Sequence, residues 1–152
     1  SHAPDILLIQ FGLNDCNYWE TDHGKPRVSL KSFSANIEEI IDRATAFNVK
    51  KSIVITNHPT GRCKEIIPNT NITYQQSVSE YNESIRVVVS NYGNNCSVID
   101  MEEVFMEAAG TEERLNQYLL GDLLHLSEKG HDLYFNTISP ILSDIILDLE
   151  GR

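Results

Sequence analysis

The sequence is short of positive charge. Lysine and arginine number 12 against 22 aspartates and glutamates, which leaves a net charge of −10 over 152 residues. Nucleic acid is a poor partner for such a chain, because its phosphates call for clustered Lys and Arg. An anionic membrane surface is disfavoured on the same ground. Apolar runs are short as well, none approaching the ~18 residues that cross a bilayer. Cysteine is scarce: Cys16, Cys63 and Cys96 are scattered, odd in number and free of any CxxC pair, so they form no disulfide framework. They read as reduced structural thiols from a reducing, cytoplasm-like compartment. Repeats, low-complexity stretches and Pro/Gly-rich linkers are all missing, so residues 1–152 read as a single domain, long enough to bury a core. The Asn-x-Ser/Thr patterns at Asn71, Asn82 and Asn95 are short enough to arise by chance and are read so.

What is present is an alternation of strands and helices. Asp5–Phe11 is a short apolar run between Pro4 and Gly12, which predicts a strand buried on both faces. A polar loop follows to about residue 29. Ser29 is a candidate N-cap for a helix whose stripe is Leu30, Phe33, Ile37, Ile40, Ile41 and Ala44. Ser52–Thr56 predicts a second buried strand, ended by the turn residues Asn57-His58-Pro59-Thr60-Gly61. The stripe Val78, Tyr81, Ile85, Val88 and Val89 predicts a helix over Thr73–Tyr92, and Ser97–Asp100 a third strand. Short helices are expected at Met101–Ala109 and around Glu112–Leu119. A last helix starts at Ser127, with a kink or break at Pro140. This order is that of a parallel sheet, where function sits in loops beyond the carboxyl ends of the strands.

Two of those loops carry chemistry. Gly12-Leu13-Asn14-Asp15 follows the first strand directly. Gly12 permits close backbone approach, and Asn14 offers an uncharged amide donor of the kind that stabilises a transient oxyanion. Taken alone, Asn14 and Asp15 equally fit a plain turn with Asx hydrogen bonds. Asp122-Leu123-Leu124-His125 lies just before the last helix. Three residues apart, the carboxylate can hold one imidazole nitrogen and leave the other as a base; alone, the pair equally fits a surface acid near a surface histidine. Tyr18, Trp19 and His58 are weaker candidates for lining a substrate pocket. His131 reads as structural, Cys16 has no basic neighbour in sequence to lower its pKa, and His58 with Cys63 lacks the spacing of a metal site. No metal and no cofactor are expected.

Together, Gly-x-Asn-Asp after a buried strand and Asp-x-x-His ahead of the last helix resemble the SGNH (GDSL-type) hydrolases. Pro4-Asp5-Ile6-Leu7-Leu8-Ile9 and His125-Leu126-Ser127-Glu128-Lys129-Gly130 are similar to the family too. The likeness runs from Pro4 to about Ile145 and is nearest to bacterial acylhydrolases and isoamyl-acetate-hydrolysing esterases. It implies a flavodoxin-like, three-layer α/β parallel sheet and a serine esterase or acylhydrolase acting on small or medium acyl esters, acetylated sugars among them. It further implies that Asn14 donates to the oxyanion, His125 is the general base and then acid, Asp122 orients it, and Gly12 is a conformational requirement.

The family's Gly-Asp-Ser nucleophile block and its oxyanion glycine are not found; Gly121-Asp122 is followed by Leu123. The expectation is therefore a C-terminal portion of the fold, without its first two strand–helix units and inactive by itself. Its first strand would expose an open edge, to be filled by a second copy or by a completing N-terminal segment. A non-catalytic binding protein on a degenerate hydrolase fold is the alternative.

Overall fold

The computed structural model describes residues 4–151. Three strands, β1 (Ile6–Ile9), β2 (Lys51–Ile55) and β3 (Cys96–Ile99), pair in parallel in the order β1-β2-β3. Ile6 faces Lys51 across the first pairing and Ser52 faces Cys96 across the second. Between and after them run helices α1 (Leu30–Ala46), α2 (Tyr74–Ser90), α3 (Met101–Ala109), α4 (Glu112–Leu115) and α5 (Glu128–Glu150).

The helices begin where the side chains can cap them. Ser29 Oγ accepts the Ser32 N–H, and Ser127 Oγ accepts the Gly130 N–H. Thr73 and Gln76 form a reciprocal capping box. From those starts the apolar residues recur at helical spacing. Phe33, Ile37, Ile41 and Ala44 of α1 are buried, as are Val78, Tyr81, Ile85, Val88 and Val89 of α2. Strand side chains alternate between faces, and β2 at the centre supplies both. Val54 packs into the layer of α1 and α2, whereas Ile53 and Ile55 pack with Phe105, Leu115 and Ile138 on the other face. Helix, sheet and helix thus form three layers, and each fully buried Ile or Phe contributes about 1.5–3 kcal/mol relative to exposure.

Three details differ from the sequence expectation. The first strand is confined to Ile6–Ile9 and is not enclosed on both faces: Leu8 is 44% and Phe11 55% exposed. β1 is the edge of the three-stranded sheet, so neighbours that would enclose it are not among the described residues. The segment expected as a helix over Glu112–Leu119 is a single α turn followed by a 3-10 turn, Asn116–Tyr118. Pro140 does not break α5, which runs through it to Glu150. The carbonyl that proline leaves without its helical donor belongs to Asn136, and both residues are exposed, so water can serve it.

Beyond the strands, buried polar groups are paired. The carbonyl-side loop of β2 is fixed by Asn82 of α2, which is fully buried. Its Oδ1 accepts both the Asn57 N–H (2.8 Å) and the Asn57 side-chain amide (3.0 Å), and its own amide donates to the Asn57 C=O. The glycosylation pattern at Asn82 is therefore closed off inside the protein. Asp100, past the end of β3, is held in a two-pronged contact by Arg86 (2.6 and 3.1 Å) and accepts the Thr56 hydroxyl. Burial pushes its carboxyl up, but Arg86 and the Glu103 N–H outweigh this and hold it below the usual range.

Asn82→Ala should destabilise the fold by about 3 kcal/mol, because it strands buried donors on Asn57. Urea unfolding would read this as a lower midpoint at unchanged slope. A midpoint within experimental error of the parent would show that Asn57 finds other partners.

Candidate active site

Parallel strands deliver their following loops to one rim. After β1 the chain turns at Gly12, whose φ of 126° lies outside what side-chain-bearing residues adopt. A Cβ there would also collide with the Asn57 amide. The Asp15 carboxylate accepts the Gly12 N–H at 3.1 Å, and the Cys16 N–H donates to the Gly12 C=O at 2.8 Å. Asp15 therefore fastens the turn, as an Asx residue does. Asn14 is exposed at its crest, and its side-chain amide has no hydrogen-bond partner among the described residues. A hollow of about 210 Å³ opens beside it, bounded by Gly12, Leu13, Asn14, Asn57 and His58.

The second loop is built around Asp122. Its Oδ1 accepts the Leu124 and His125 N–H groups at 2.9 and 3.0 Å, and its Oδ2 lies 2.6 Å from His125 Nδ1. A carboxylate only accepts, so Nδ1 carries a proton, and whenever the ring is neutral Nε2 is a bare lone pair. The His125 side chain is 70% exposed, and Nε2 has no partner among the described residues. Leu123 takes a left-handed conformation (φ 60°), which curls the carboxylate back over the following amides. His125 and the two backbone N–H groups hold the Asp122 carboxyl well below the usual range.

This loop is fixed to its surroundings. Leu119 and Leu126 pair as an isolated antiparallel bridge, and the Leu120 N–H donates to the His125 C=O at 2.7 Å. Gly61, on the loop after β2, donates its N–H to the Leu123 C=O at 2.8 Å. A Cβ at Gly61 would stand only 2.9 Å from the Leu123 Cβ, so the approach needs glycine.

His58 lies between the two loops. It is 6% exposed, its ring is 5.6 Å from Phe105, and it borders the hollow with Asn14. Burial lowers its pKa, and the charges of nearby His125 and His131 lower it further. Asp122 and His125 are not among the residues lining this hollow, and neither are the other weak candidates. Trp19 is exposed with the Arg27 guanidinium 4.5 Å over its ring. Tyr18 sits beside Ser77 and Glu80 of α2. Cys16 is buried, and burial pushes its thiol up to about 12, far from a reactive thiolate. His131 is exposed in the first turn of α5. No group of three or more His, Cys, Asp or Glu that could hold a metal occurs among the described residues. The residues missed in the sequence are Asn57, which borders the hollow, and Gly61 and Asn82, which hold the loops from outside it. Only Asn82 left a signal, being a polar residue inside the apolar stripe of α2.

The three-layer α/β architecture agrees with what comparison finds. Residues 1–133 match the GDSL-like lipase/acylhydrolase family, and the chain belongs to that family. It is 23% identical over 155 residues to the human isoamyl acetate-hydrolyzing esterase 1 homolog, covering 96% of this chain and 58% of that protein. To the mouse isoamyl acetate-hydrolyzing esterase 1 homolog it is 24% identical over 152 residues, with coverage of 96% and 59%. The crystal structure of LAE5, an alpha/beta hydrolase enzyme from the metagenome of Lake Arreo, Spain, has the same fold: TM-score 0.69, 20% identity, 90% of this chain and 58% of that one. The chain thus spans somewhat under two thirds of the relatives it matches.

The depressed Asp122 carboxyl has a measurable consequence. Its contribution to stability is present above the unfolded-state value near pH ~4 and is lost as acid titrates the folded carboxylate. Carbon-detected NMR should place the Asp122 midpoint well below ordinary aspartates, and His125→Ala should move it back up. An unchanged midpoint in the variant would disprove the contact.

Proposed function

We propose that this chain carries the oxyanion donor and the acid–base pair of a serine acylhydrolase. Its substrates would be small or medium acyl esters, acetylated sugars among them. The nucleophile would come from a Gly-Asp-Ser segment that the sequence does not contain. One observation carries this: Asp122 grips His125 at Nδ1 in a loop that Gly61 ties to the β2 loop, whose His58 borders the same hollow as the unpartnered Asn14 amide. Family membership and relatives named as esterases support it.

The chemistry follows from the geometry. His125 Nε2 takes the proton as the serine oxygen adds to the ester carbonyl. The Asp122 carboxylate stabilises the imidazolium, and the Asn14 amide donates to the carbonyl oxygen as it gains charge. Collapse of the tetrahedral intermediate expels the alcohol, which receives the proton from His125. Water then repeats the sequence and frees the acid.

The chain by itself should not turn over an activated acetyl ester, since base and amide form no acyl-enzyme without a nucleophile. Joined to a Gly-Asp-Ser segment, it should hydrolyse the ester. Asn14→Ala should then lower kcat about 10²–10³-fold, and His125→Ala at least as much. Parent-like rates in both variants would defeat the proposal, and binding without turnover in the joined protein would favour the non-catalytic alternative.

The edge of β1 favours an accompanying role in assembly. Its outer side is unpaired among the described residues, Leu8 and Phe11 are exposed, and a hollow of about 420 Å³ lined by Phe11, Phe33, Ile37 and Ile40 adjoins it. The serine-bearing segment would pair along this edge; without it, a second copy would. Light scattering of the chain alone should show association rising with concentration, whereas a monomer at every concentration tested would count against edge pairing.

A further inference from the structure

The ring of His58 borders the hollow and is left unused by the acyl-transfer chemistry. It is buried and fixed: Phe105 lies against it, and its Nδ1 stands 2.9 Å from the Pro59 C=O. A carbonyl oxygen accepts and never donates, so Nδ1 holds the ring's proton and Nε2 is a bare lone pair. Nε2 has no hydrogen-bond partner among the described residues, yet it is not one of the buried side-chain atoms sealed from solvent without a partner. In a side chain that is 6% exposed and borders the hollow, this nitrogen is therefore open to it. Burial keeps the ring neutral, so it remains an acceptor and does not become a cation that would attract an anion.

Asn14 stands on the same lining with two free N–H donors. The hollow thus pairs a donor for an ester carbonyl with a fixed acceptor beside it. A simple alkyl ester meets the first and leaves the second unsatisfied. An ester of a polyol or sugar with a free hydroxyl near the acylated oxygen meets both. A site built to accept a hydrogen bond discriminates against ligands without the donor, because its own polar atom then goes unpaired.

We infer that His58 Nε2 is a specificity-determining acceptor for a substrate hydroxyl next to the ester, which selects partially acylated polyols and sugars over plain alkyl esters. This deepens the acylhydrolase proposal and rests on it for the position of the ester. The contact itself needs no turnover and is tested by binding.

The test uses the full chain with 15N-labelled histidines, the His58 signals being assigned through their proximity to Phe105. A two-bond proton–nitrogen correlation spectrum should show Nδ1 protonated and Nε2 bare. Glycerol monoacetate should shift Nε2 saturably, and butyl acetate should shift it far less. His58→Phe should weaken glycerol monoacetate binding about three- to tenfold and leave butyl acetate nearly unchanged. His58→Gln, which keeps an acceptor, should recover part of the loss. A protonated Nε2, equal shifts with the two esters, or no shift with glycerol monoacetate would each overturn the inference. The wild-type spectra decide it even if a variant fails to fold. A shift at Nε2 without hydrolysis in the serine-completed protein would sink the esterase proposal alone; hydrolysis without the shift would sink only the role of His58.

Discussion

One backbone hydrogen bond, from Gly61 to Leu123, sets the geometry on which the site depends. The loop after β2 and the loop before α5 are far apart in sequence and belong to different elements. Their contact fixes where Asp122 and His125 stand relative to the sheet. The same β2 loop is held from behind by Asn82, and Asn57 in turn abuts Gly12 of the loop after β1. A continuous set of contacts therefore runs from the oxyanion-side turn to the imidazole. Each member is backbone or a buried amide, which resists displacement better than exposed ion pairs do.

This arrangement divides labour among the residues. Asn14 and His125 are exposed and make few contacts of their own, as groups that must meet a ligand should. The restraint is supplied by other residues, most of them outside the hollow. Asp15 closes the first turn, Asp122 grips both the ring and the backbone beside it, and Gly61 admits the close approach of Leu123. Acidic residues at the rim consequently differ in role. Asp122 points its charge at an imidazole, whereas Asp100 is neutralised by Arg86 and braces the end of β3.

Much of the fold was legible because its signals are local. Ser29, Thr73 and Ser127 announce helix starts through their own side chains, and the stripes of α1 and α2 repeat often enough to mark a buried face. The Gly-x-Asn-Asp and Asp-x-x-His spacings were legible for the same reason, each being a turn closed within four residues. What escaped depends on partners distant in sequence. The enclosure of β1 depends on which strands flank it. The continuity of α5 through Pro140 depends on whether Asn136 faces water. Tyr18 and Trp19 were placed in a pocket by proximity along the chain, but the path of a long loop carried them elsewhere. The partner of Asn82 was not legible because nothing near it in sequence reveals the backbone it serves.

The left-handed backbone at Leu123 has a consequence for how the His125 ring is held. A leucine in that region carries a conformational penalty of roughly 1–2 kcal/mol. It is offset within the same tight turn, by the carboxylate's two amide contacts and its hold on the ring. Nothing in that balance involves an incoming serine or ester. The imidazole is thus already oriented in the resting chain, and under the proposed chemistry an arriving nucleophile would not have to rearrange it.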